Sequence, residues 1–75
     1  MASQTAKALK KAIRALGGMW DTHRSVTALR DGGLGDGDQQ VQEKRARKAL
    51  RDLAEAHVIV RTDPDGATYR LATEL

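Results

Sequence analysis

Apolar residues recur at helical spacing in three stretches, and then the period changes to two. From Thr5 to Leu16, Ala6, Leu9, Ile13 and Leu16 repeat every three or four positions, with Ala12 beside them. That spacing predicts an amphipathic helix. Ser3 or Thr5 can cap its start. Gly17 and Gly18 stop it, because glycine readily takes the left-handed conformation that follows a last turn. A second helix is expected over Thr22 to Asp31, with Asp21 or Thr22 as the cap and Gly32 and Gly33 as the stop. Val26 and Leu29 face inward, with Ala28 nearby. The third helix is expected from Gln39 to Ala56 behind an Asp38 cap, whose carboxylate accepts orphan backbone N–H groups. Val41, Arg45, Ala49, Leu53 and Ala56 follow its repeat, and Ala46 and Leu50 widen the stripe. Its eighteen residues make a rod of about 27 Å, longer than so small a bundle requires.

After the third helix, His57-Val-Ile-Val-Arg-Thr62 is β-branched, and Ala67-Thr-Tyr-Arg-Leu-Ala72 alternates by two. Asp63-Pro-Asp-Gly66 lies between them. Pro64 presets the second turn position, and Gly66 can take a positive φ. The pattern predicts an antiparallel hairpin. A lone ribbon is marginal, so it must lie on the helices or gain a third strand, which Met19–Asp21 can supply. The tail Thr73–Leu75 is expected to fray. The predicted class is α+β: three helices followed by a two-stranded antiparallel hairpin.

Composition limits what such a chain can do. It has 75 residues, which makes a single domain with an ordered core over about 5–72 the expectation. Phe is absent, and Trp20 and Tyr69 are the only aromatics. Periodicity places Leu9, Ile13, Leu16, Trp20, Val26, Leu29, Leu34, Val41, Leu50, Leu53, Val58, Val60, Tyr69 and Leu71 in the core. Trp20 is expected to pack beneath the helices, with its Nε1 reaching a backbone oxygen. Leu34 is expected to anchor the glycine-rich connector Asp31–Asp38. There is no Cys, which excludes disulfides and thiolate metal sites. No apolar run is long enough to span a membrane, and no apolar segment at the N-terminus resembles a secretory signal. A cytoplasmic, DNA-associated module is the expected setting.

Charge narrows the partner. Thirteen Lys and Arg against ten Asp and Glu leave a net +3. The excess is clustered. Residues 1–16 carry Lys7, Lys10, Lys11 and Arg14 and no anion, and the third helix carries Lys44, Arg45, Arg47, Lys48 and Arg51. Two basic helix faces suit a polyanion; the plain alternative is solvated helix surface. Arg45 borders the apolar stripe, where its stem can lie on the core edge. Glu43 stands four residues before Arg47, as Arg51 does before Glu55, and such pairs support a helix.

Chemistry is sparse. The two histidines, His23 and His57, stand 34 positions apart, and no phosphate-loop pattern follows either glycine cluster. Asp31–Asp38 has the look of a calcium loop, but counting from Asp36 puts Arg47 where a closing Glu is needed. No enzyme activity, cofactor, metal or small-molecule substrate is expected.

The run Ala46-Arg-Lys-Ala-Leu-Arg-Asp-Leu-Ala-Glu-Ala-His-Val-Ile-Val60, its Asp-rich turn and Tyr69-Arg-Leu71 resemble the winged helix-turn-helix family of DNA-binding domains. The resemblance extends over roughly residues 5–72 through the order of elements. Two departures stand out: the connector Asp31–Asp38 exceeds the family's tight turn, and His57 stands where Gly or Asn is common. The resemblance implies double-stranded DNA as the partner, read in the major groove by the third helix. Gln39, Gln40, Glu43, Lys44 and Arg47 would approach base edges. Lys48 and Arg51 would meet phosphate. Thr22, His23, Arg24 and Ser25, at the start of the second helix, would touch the DNA backbone, as would Arg61, Thr62 and Arg70 of the hairpin, or wing. Transcription regulation or DNA replication and recombination are the implied settings. The alternative is a module of the same fold that binds protein, as a homodimer or within a larger host complex, without touching DNA. RNA binding is a weaker third reading, because the hairpin lacks exposed aromatics.

Overall fold

A computed structural model describes residues 4–64, 66 and 68–74. Three helices form where the apolar spacing expects them: α1 (Gln4–Leu16), α2 (Thr22–Asp31) and α3 (Gln39–Glu55). A hairpin of β1 (Ile59–Arg61) and β2 (Tyr69–Leu71) follows, and then a 3-10 turn over Ala72–Glu74, where Thr73 and Glu74 were expected to fray; Leu75 lies outside the described residues. This is the winged helix-turn-helix topology. Each helix packs on the other two, and β1 lies on α3.

The helix ends follow from local chemistry. Asp21 caps α2, its side chain accepting from the Arg24 N–H, and Asp38 caps α3 by accepting from the Val41 N–H. Thr5 lies inside α1 rather than at its cap, and Ser3 is outside the described residues. After α2, the Gly33 N–H donates to Arg30 O and the Leu34 N–H to Leu29 O. With Gly33 at a φ of 83°, this is a Schellman ending. After α3 the same pair of bonds recurs, from His57 N–H to Ala54 O and from Val58 N–H to Leu53 O. Here the left-handed position falls to His57, at a φ of 61°.

The seven-residue connector between α2 and α3 is tied at three points. The Leu34 side chain packs against the core. Arg45 Nη1 donates to Leu34 O at 2.7 Å, and Gln42 Nε2 donates to Gly37 O at 2.8 Å. Arg45 therefore joins the helix to the connector from the edge of the apolar stripe.

In the hairpin Ile59 pairs with Leu71, Val60 with Arg70 and Arg61 with Tyr69. The ladder is extended by Ala72 N–H to Val58 O and by Thr62 N–H to Thr68 O. Gly66 N–H donates to Asp63 O across the turn; Asp65 and Ala67 lie outside the described residues. Trp20 joins the ribbon on the far side of β2 through an antiparallel bridge to Tyr69. This is the short third-strand segment expected at Met19–Asp21.

The core gathers Ala6, Leu9 and Ile13 of α1, Trp20, Val26 and Leu29 of α2, Ala46, Ala49, Leu50 and Leu53 of α3, and Ile59. Leu34, Val58, Tyr69 and Leu71 pack against it half-buried. Trp20 is fully enclosed, and its Nε1 donates to Gly17 O at 3.0 Å.

Three residues expected in the core are exposed: Leu16 at 66%, Val41 at 46% and Val60 at 39%. Leu16 is the last residue of α1, and Trp20 fills the space beneath that end. Val41 heads a chain of i, i+4 steps, each of which turns about 40° round a helix axis. Four residues before Arg45 and eight before Ala49, it has rotated off the buried side. Val60 lies on the outer face of β1, because Ile59 takes the inward position.

Candidate nucleic-acid interface

The buried side of α3 is set by Ala46, Ala49, Leu50 and Leu53. At about 100° per residue, Gln40, Lys44, Arg47, Lys48 and Arg51 then point away from the core. All five are exposed. Among the described residues, none of the four cationic side chains in that set donates a hydrogen bond or closes an ion pair. Neither the hairpin nor α1 covers them. Gln39 is also exposed, and Glu43 is half-buried.

The cations flank a concavity. Thr5 of α1 and Val41, Lys44, Arg45, Arg47, Lys48, Ala49, Arg51 and Asp52 of α3 line a groove of about 690 Å³. A second groove of about 610 Å³ adjoins it at Lys48 and Asp52 and brings in Lys7 and Lys10 of α1. Positive charge thus runs from α3 across to the first turns of α1, with Asp52 and Glu55 as its anions. The expected interface omitted Lys7 and Lys10. The anion-free stretch 1–16 carried that signal, but only the packing of α1 on α3 brings it beside Lys48.

The start of α2 differs from the expectation. Ser25 is completely buried in the helix packing and cannot reach a partner; its Oγ has no hydrogen-bond partner. Arg24 is engaged within the fold. Its Nη1 donates to Gly17 O at 3.1 Å and to Met19 O at 2.8 Å, and its guanidinium carbon stands 4.0 Å from the centre of the Trp20 ring. The cation and the ring face attract each other, so Arg24 clamps the turn between α1 and α2. Thr22 is half-buried, and His23 is exposed.

On the wing, Arg61 is exposed, and its Nε donates to Gly66 O at 2.7 Å, bracing the hairpin turn. Thr62 is exposed, with its hydroxyl 3.4 Å from Thr68 O. Arg70 is half-buried on β2.

Among the described residues, no group of three or more His, Asp or Glu side chains is arranged to hold a metal ion, and no helix is long and apolar enough to cross a membrane.

Comparison with protein-family models, with curated proteins and with solved structures finds no match.

Proposed function

We infer that this chain is a double-stranded DNA-binding module, and that α3 is the element that enters the major groove. One observation carries the reading: Lys44, Arg47, Lys48 and Arg51 stand uncovered along the outward side of a helix whose other side is packed into the core. The major groove of B-DNA admits a single α-helix. Arg47 and Lys44 are suited to guanine O6 and N7, and Gln40 to adenine N6 and N7. Lys48 and Arg51 are suited to phosphate, which fixes register without carrying sequence. Thr22 and His23 at the start of α2, and Arg61 and Thr62 on the wing, supply further backbone contacts. Residues 5–72 act as one unit in this reading, wherever duplex DNA is handled in the cell, and regulation of transcription is one such role.

An amide NMR titration with a random-sequence duplex tests it. Shifts should centre on residues 40–51 and fade as salt is raised. Shifts confined to α1 and the hairpin, indifferent to salt, contradict it.

A second reading is favoured by Leu16 and Met19, two large apolar side chains exposed within four positions at the end of α1. They suit a protein contact, either in a homodimer or with a host protein. Sedimentation separates the two cases: a monomer both free and DNA-bound excludes the homodimer.

A further inference from the structure

Val41 is an apolar side chain on a polar face. It lies in the first turn of α3, next to Gln40 and one turn before Lys44 and Arg45, and nearly half of its surface is open. It is also held in place. Its N–H donates to Asp38 Oδ1 at 2.9 Å. A Cβ built on Gly37 would come within 2.8 Å of Val41 Cγ1, so that methyl rests against the Gly37 backbone. Gly37 has a φ of 98°, which also favours glycine there. A β-branched residue in a helix has one strongly preferred χ1. The open part of Val41 is therefore a methyl surface of fixed direction.

Its position matters as much as its chemistry. The N-terminal residues of a recognition helix are the ones that reach base edges. The Asp38 carboxylate sits at this turn, accepting the Val41 N–H, which disfavours phosphate there and leaves phosphate to Lys48 and Arg51 farther along. Of the four bases, only thymine shows a methyl group in the major groove.

Resting on the DNA-binding reading above, we propose that Val41 is a specificity-determining residue that packs on the C5 methyl of a thymine, beside a base pair read by Gln40. The first turn of α3 then selects an A·T-containing step, and the Arg and Lys residues that follow read the bases next to it.

The test uses the whole chain and duplexes enriched by it from a random pool. Each thymine of the enriched site is replaced in turn by uracil, which removes only the methyl. At one position uracil should weaken binding about fourfold, the effect of losing one buried methyl. Val41→Ser should weaken binding to the thymine duplex by a similar factor and bind the uracil duplex equally well. Because Val41 is exposed, the variant should keep the circular dichroism spectrum of the parent, and the uracil arm needs no variant at all. Duplex binding with no methyl-dependent position, or a methyl dependence that survives in Val41→Ser, overturns the proposal and leaves the DNA-binding reading standing. Absence of duplex binding at low salt overturns both.

Discussion

The backbones of Trp20 and Tyr69 hold each other twice: the Trp20 N–H donates to Tyr69 O, and the Tyr69 N–H donates to Trp20 O, both at 2.7 Å. This pair joins the wing to the segment that launches α2. The Trp20 ring fills the core beneath it, and the Arg24 guanidinium covers the ring from the α2 side. One residue thus ties together α1, α2 and the hairpin.

Trp20→Ala should accordingly be the most damaging single change in the core. Truncating a buried Trp costs about 3–5 kcal/mol, and a domain of this length has a total stability of about 4–11 kcal/mol. Urea unfolding followed by far-ultraviolet circular dichroism should show the unfolding free energy lowered by that amount. A loss below about 1 kcal/mol would mean that the ring does not organise the core.

Arg24→Met separates a structural from a DNA-contact role. It removes the hydrogen bonds to Gly17 O and Met19 O and the stacking on Trp20. The expected loss of stability is about 1–3 kcal/mol. Duplex affinity, measured where the variant is still folded, should stay within about twofold of the parent. A larger loss of affinity with unchanged stability would show that Arg24 leaves its carbonyl partners to meet phosphate.

His57 occupies a left-handed position in the ending of α3, where glycine has no Cβ to strain. His57→Gly should raise stability by about 0.5–1 kcal/mol, which corresponds to a Tm about 2–8 °C higher in a domain of this size. Thermal unfolding measures it directly. A fall in Tm would indicate that the imidazole makes a stabilising contact that outweighs the backbone strain.

Arg47→Ala should weaken duplex binding at least tenfold, as expected for losing a guanidinium paired with a guanine edge. Since Arg47 is exposed, the unfolding free energy should change by less than about 0.5 kcal/mol. Fluorescence anisotropy with a labelled duplex reads the first quantity and urea unfolding the second. Unchanged affinity removes Arg47 from the interface.

Much of this fold was legible in the chain. The glycine pairs and Asp caps place α2 at its observed bounds, and the Asp-Pro-Asp-Gly turn marks the hairpin. Charge clustering alone marks the outward side of α3. What was not legible follows from geometry. A run of β-branched residues such as Val58, Ile59 and Val60 does not say which parity faces inward, so the pattern alone does not select Ile59 over Val60 for the core. The i, i+4 spacing of Val41 implies burial only if the rotation of about 40° per step is neglected. Ser25 and Arg24 looked available at the start of α2, since sequence does not reveal that Trp20 and the helix packing claim that end. Ala46 and Ala49 lie on the apolar stripe that the helical repeat marks, and both are buried, as small side chains suit positions where helices approach closely.

The central claim is that the cationic side of α3 meets the phosphates and base edges of a duplex. The salt dependence of duplex affinity tests it most directly, measured for the parent and for a Lys48→Ala, Arg51→Ala double variant. Each phosphate contact contributes about −0.9 to the slope of log K against log salt. The parent should show a slope of about −2 to −4, and the double variant should lose about 2 of that slope. A flat salt response in the parent, or a slope untouched by removing Lys48 and Arg51, contradicts the account.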